Sequence, residues 1–127
     1  MTSLDLATTL IRVFEGCRLT SYQDSGGIWT IGFGHIKDVV PNQTITFEEA
    51  QALATQDLAP LLKLVDGKPM LAAAGLLSFG YNCGYGSLQH VLAGTAKLSN
   101  FIHDRHGNVL AGLVARRDLE AALIEIG

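Results

Sequence analysis

The sequence predicts an α+β domain, mainly helical, with one small β-hairpin near the N-terminus. Three observations carry this. Apolar residues recur at helical spacing in several long segments, and one glycine-centred stretch among them breaks that habit for two short strands. The 127 residues, 48% of them hydrophobic, suffice for one core and are too few for two, so a single domain over residues 1–127 is expected.

In chain order, Leu6, Leu10 and Phe14 stand four residues apart with Ile11 and Val13 beside them, Ser3 is available as a cap and Gly16 as a stop, which predicts a helix over 3–15. Leu19 to Tyr22 and Ile28 to Ile31 read as strands around a turn at Ser25-Gly26-Gly27. Thr46 and Glu49 have capping-box spacing, and Phe47, Ala50, Leu53, Ala54, Leu58, Leu61 and Leu62 then share a face. A helix over about 47–65, bent at Pro60, is expected. Asp66 to Pro69 is a break, and "MLAAAGLLSFGYN" from Met70 is apolar enough to be the most buried helix. The segment after "NCGYGS" up to about residue 103 takes no clear assignment. A turn at His106-Gly107-Asn108 leads into a closing helix, "GLVARRDLEAALIEI".

The formal charge of −3 and the scattered nine Lys and Arg argue against nucleic acid as a partner. No apolar run reaches the roughly 20 residues of a membrane span, and the N-terminus lacks the basic start and long apolar middle of an export signal. Cys17 and Cys83 have neither metal spacing nor the density of a disulfide scaffold, which leaves plain apolar residues, a merely proximal pair or a structural disulfide open. No metal or other cofactor is called for.

"EGCRLTSYQDSGGIWTIGFGH" concentrates the chemistry. Glu15 ends the first helix, where the dipole and unpaired carbonyls disfavour a second negative charge and favour a protonated carboxyl group. That suits a general acid. Asp24 stands at a polar, wet hairpin tip that leaves it ionised and suits a base. Two carboxyl groups set apart by environment are what glycoside hydrolysis needs across a cleft. As an isolated pair they would read as a frayed helix end and a turn former.

The surrounding residues are more specific. Glu15, eight residues, Asp24, five residues, Thr30 resembles the pattern of the phage-type lysozymes of glycoside hydrolase family 24, and "GLLSFGYNCG" at 75–84 and "GNVLAGLVARRDLEAAL" at 107–123 resemble two further blocks of that family in its order. The resemblance implies a lysozyme-like fold with a hairpin lobe over about 14–45, a helical lobe in the remainder, and peptidoglycan bound between them. It implies that Glu15 protonates the departing glycosidic oxygen while Asp24 and Thr30 place and activate a water on the opposite face, with inversion. Ile36, Tyr81 and Asn82 would then contact sugar. One of Arg116 and Arg117 would hold the acid while the other, about 100° round the helix, points to solvent. His35 would be a structural hydrogen-bonding residue, and Gly32 and Gly34 positions where a side chain would block the turn or cleft.

The chain departs from the pattern between Leu88 and Ile102, where about a dozen residues of the family's helical lobe are missing, and its N-terminus lacks the weakly apolar anchor of some members. A monomeric muramidase that stays in the host cytoplasm until released to the periplasm and cell wall is the expectation for a phage endolysin. A lytic transglycosylase and a peptidoglycan-binding domain with little turnover are the alternatives.

Overall fold

The computed structural model describes residues 1–127. Helix α1 spans Ser3–Glu15, capped by Thr2 rather than Ser3. The Thr2 hydroxyl accepts from the Asp5 N–H at 3.1 Å and the Asp5 carboxylate accepts from the Thr2 N–H at 2.9 Å, so the cap sits one residue earlier than expected and closes a reciprocal box. Strands β1, Arg18–Gln23, and β2, Trp29–Gly32, pair antiparallel with Tyr22 opposite Thr30 and a bulge between Arg18 and Tyr22. The outer edge of β1 is covered by residues 43–45, through Ser21 N–H to the Gln43 carbonyl and Ile45 N–H to the Leu19 carbonyl.

Helix α2, Phe47–Leu58, starts at the expected Thr46–Glu49 box, with both bonds at 3.1 Å. The expected helix to residue 65 is not one bent α-helix. Residues Ala59–Val65 wind as a 3-10 helix. Pro60 has no N–H to give the Gln56 carbonyl, and the Ala59 N–H reaches both Thr55 and Gln56, so the chain tightens rather than kinks.

Helix α3, Met70–Cys83, is the central element, and its residues 72–80 are all buried. Gly84, at φ 98°, ends it and lets the chain turn directly into α4, Tyr85–Leu92, which begins inside the glycine-rich NCGYGS stretch and runs into the segment without a clear assignment from sequence. A short 3-10 turn at Leu98–Asn100 precedes the turn at 104–108, and α5 spans Ala111–Ile126.

One apolar cluster joins Ala7 and Ile11 of α1, Ala50, Ala54 and Leu58 of α2, Leu76, Leu77 and Phe79 of α3, and Leu88 of α4. Burying a side chain such as Leu58, Leu77 or Phe79 is worth about 1.5–3 kcal/mol each. On its other face α3 packs against α5. A Cβ at Gly75 would lie 2.8 Å from the Glu120 carbonyl oxygen, so the bare glycine is what lets α5 approach that closely. This approach brings the polar residues of α5 under the end of α1. No helix is long and apolar enough to cross a membrane.

Candidate functional site

Glu15 is the last residue of α1, and Gly16, at φ 67°, turns the chain out of the helix into the hairpin. Glu15 Oε1 accepts from Arg116 Nη1 at 2.6 Å. Its Oε2 faces Gly34, where a Cβ would come within 3.2 Å and where φ is 86°. Any side chain at position 34 would crowd this oxygen.

Asp24 forms the hairpin tip with one oxygen only. Oδ1 accepts from the N–H groups of Gly26 at 2.8 Å and Ile28 at 2.9 Å, an Asx-type turn, while Oδ2 has no partner within the protein. The turn and any chemistry therefore draw on different oxygens. Thr30 is 4% exposed, and its hydroxyl donates to the Ile28 carbonyl at 2.9 Å, which leaves it only acceptor capacity. Ile28 thus couples the two groups, giving its N–H to Asp24 and its carbonyl to Thr30.

The expected sugar contacts Ile36, Tyr81 and Asn82 are divided between two cavities. Ile36 and Tyr81 line one of about 300 Å³ with Gly34, Asp57 and Tyr85. Glu15, Asn82 and Arg116 line another of about 480 Å³ with Val13, Phe14 and Leu110. Asp24 lines a third, about 420 Å³, between the hairpin tip and residues 104–106, where Arg105 Nη2 donates to the Ser25 carbonyl. The largest cavity, about 540 Å³, lies elsewhere, along Leu98, Ile102, Val114 and Arg117. Tyr81 has its hydroxyl committed as a donor to the Phe33 carbonyl, and burial pushes its phenol well above the usual range. It can offer a sugar its ring, and its hydroxyl only as an acceptor.

His35 is buried, with Nδ1 2.7 Å from Asp57 Oδ2 and Nε2 2.8 Å from the Lys37 carbonyl oxygen. Its ring fastens the segment after β2 to α2. Gly32, at φ 65°, lies with its missing Cβ position 3.3 Å from Ala50 Cβ, so it marks close packing of β2 on α2.

One expectation fails. Arg116 faces Glu15, but Arg117 does not point to solvent and is only 2% exposed. It runs inward over the Phe79 ring, donates to Cys83 Sγ at 2.8 Å and to the Phe101 carbonyl at 3.3 Å, and meets Glu120. A hundred degrees of rotation moves the side chain from the cleft face to the core face of α5, and a buried carboxylate there satisfies the second guanidinium. Sequence reasoning missed Glu120, although an acid three and four residues beyond an Arg-Arg pair was a usable signal. It also missed Ser78, Asp57 and Arg105, whose partners are distant in the chain and left no local mark.

Both cysteines are free, Cys17 exposed and Cys83 partly buried, which removes the structural disulfide. Burial pushes the Cys83 thiol up, an effect the nearby Arg117 opposes without cancelling. At pH 8 a thiol reagent such as Ellman's should therefore modify Cys17 in a fast phase and Cys83 in a slower one that accelerates at higher pH. A single phase at all pH values would contradict the protection.

Comparison with known proteins bears on the family and the fold. The phage lysozyme family model matches residues 12–120. The SAR-endolysin of Bacteriophage PS34 is 35% identical over 81 residues, covering 59% of this chain and 48% of that protein. The endolysin of Lactococcus phage c2 is 34% identical over 129 residues, covering 90% of this chain and 56% of its own. The chain thus spans about half the length of the curated relatives it matches. Among solved structures, the muramidase domain of SpmX from Asticaccaulis excentricus superimposes with a TM-score of 0.76 at 30% identity over 93% of each chain. The active form of the P1 phage endolysin Lyz does so with a TM-score of 0.79 at 23% identity, over 96% of this chain and 84% of that one. These neighbours share its lysozyme-like fold, and the match over residues 12–120 places the chain in the phage lysozyme family.

Proposed function

We propose that the chain is an endolysin muramidase of glycoside hydrolase family 24, hydrolysing the β-1,4 bond from N-acetylmuramic acid to N-acetylglucosamine in bacterial peptidoglycan, with inversion, for host lysis. The observation that carries this reading is the division of labour between two carboxyl groups. Glu15 is clamped by Arg116 through one oxygen and turns the other to Gly34, while Asp24 keeps Oδ2 free and Thr30, its hydroxyl given to the Ile28 carbonyl, can only accept. In this reading Glu15 gives its proton to the departing glycosidic oxygen and Arg116 stabilises the carboxylate that results. Asp24 Oδ2 takes a proton from the attacking water, whose second hydrogen is oriented by Thr30 Oγ1. The Ile36 and Tyr81 surfaces supply apolar stacking for sugar rings, and the Asn82 amide supplies paired hydrogen bonds. The protein would act as a monomer in the periplasm and on the cell wall.

Product analysis tests this. Purified peptidoglycan should yield fragments with new muramic-acid reducing ends. 1,6-Anhydro products would mean attack by the sugar's own hydroxyl, and an unchanged turbidity of outer-membrane-permeabilised cells would mean binding without turnover. Either result overturns the hydrolase reading.

A further inference from the structure

The Glu15–Arg116 pair is one end of a larger buried assembly. Glu120 on α5 is fully buried and touches both guanidinium groups: Arg116 Nε lies 3.2 Å and Arg117 Nη2 3.1 Å from Oε2, and Arg117 Nε lies 2.6 Å from Oε1. The closest pair, Arg117 Nε and Oε1, meets outside hydrogen-bond alignment, so charge holds it. Ser78 of α3 closes the assembly, its hydroxyl donating to Glu120 Oε2 at 2.6 Å and its carbonyl accepting from Arg116 Nη2 at 3.1 Å. Arg116 is therefore held on Nε and Nη2 and presents Nη1 to Glu15. The other titratable groups facing this set are Cys83 of α3, against Arg117, and Tyr81 of α3, which lies in the field of Glu15, Arg116 and Asp57 of α2.

Stability alone does not account for such a cluster, because apolar residues of similar volume serve a core as well as a buried ion pair does. Its charges have a consequence for the site. Two carboxylates and two guanidiniums balance. Without Glu120, two cations would bear on Glu15 alone, and nearby positive charge favours the ionised carboxyl group. A general acid needs the proton. We propose that Glu120 is a positioning residue: by sharing Arg116 with Glu15 it aims the guanidinium at Oε1 and draws off enough of its charge for Glu15 to carry a proton. This rests on Glu15 being the general acid.

The test reads Glu15 in two ways, from the alkaline limb of kcat/KM on peptidoglycan and from the titration of its side-chain carboxyl carbon by ¹³C NMR. Glu120→Gln should lower both midpoints by about one pH unit, the lower end of what a nearby charge does. Glu120→Asp should restore them towards the wild-type position. Arg117→Met should raise them, because Glu120 then turns wholly to Arg116. The double Glu120→Gln, Arg117→Met variant removes no net charge from the interior and covers the case in which a single variant fails to fold; its midpoints should also fall, by less. Lower activity with unmoved midpoints in the folded variants would make Glu120 merely structural and overturn the proposal. If the wild type shows no turnover, the muramidase reading falls, and the NMR titration still decides whether Glu120 governs Glu15.

Discussion

Glu15→Gln should abolish turnover and leave the fold intact. The amide is nearly isosteric with the carboxyl group, and its oxygen can still accept from Arg116 Nη1, which holds Oε1 at 2.6 Å in the wild type. The amide nitrogen then faces Gly34, the side on which no Cβ obstructs it. Arg116 keeps its bonds to Glu120 and Ser78, so the substitution leaves no orphaned cation. The side chain is only 20% exposed, but the amide oxygen keeps the bond to Arg116, so the melting temperature should fall modestly and unfolding should stay cooperative. Turnover is another matter, because an amide has no proton to give the leaving oxygen. General acid catalysis contributes about 10²–10⁴-fold, and a loss in or beyond that range is expected in a peptidoglycan assay. Activity within about tenfold of wild type, in a protein that still unfolds cooperatively, would remove Glu15 from the mechanism.

The contrast between Arg116 and Arg117 shows which parts of this protein were legible in its sequence. Helix ends and the hairpin were readable because their causes are local: the Thr46–Glu49 box formed as spaced, and the apolar run from Met70 became the buried central helix. The failures also have physical causes. Pro60 signalled a break in helical hydrogen bonding but not the choice between a bend and a tighter winding, which depends on which carbonyl the Ala59 N–H finds. At the site, Asp24 and Thr30 lie in the hairpin that directly follows Glu15 at the end of α1, so their local neighbourhood could be read from spacing alone. The charge environment of Glu15 could not. It is assembled from Ser78, Arg116 and Glu120, 63 or more residues away along the chain, and depends on a glycine at position 75 that lets two helices touch.

Asp24 and Thr30 should show strongly coupled losses, and the structure fixes which variants can reveal this. Asp24→Ala would remove the acceptor for the Gly26 and Ile28 N–H groups and loosen the turn itself. Asp24→Asn keeps an oxygen for those two bonds and neutralises the charge borne by the unengaged Oδ2. Thr30 is buried, so Thr30→Val keeps its volume and removes only the hydroxyl, at the cost of one hydrogen bond to the Ile28 carbonyl. The base should matter more. Loss of the carboxylate should cost about 10²–10⁴-fold, whereas one hydrogen bond to a water is worth about 1–3 kcal/mol. If both groups act on one water, a water without its base gains little from being oriented, and the double variant should fall close to Asp24→Asn alone. The wild-type product should also appear first as the α-anomer, since attack comes from the face opposite the leaving group. Initial β-anomer by NMR, or losses that simply add, would show that Asp24 and Thr30 do not share a water. The inverting mechanism would then be wrong for this chain even though its family is right.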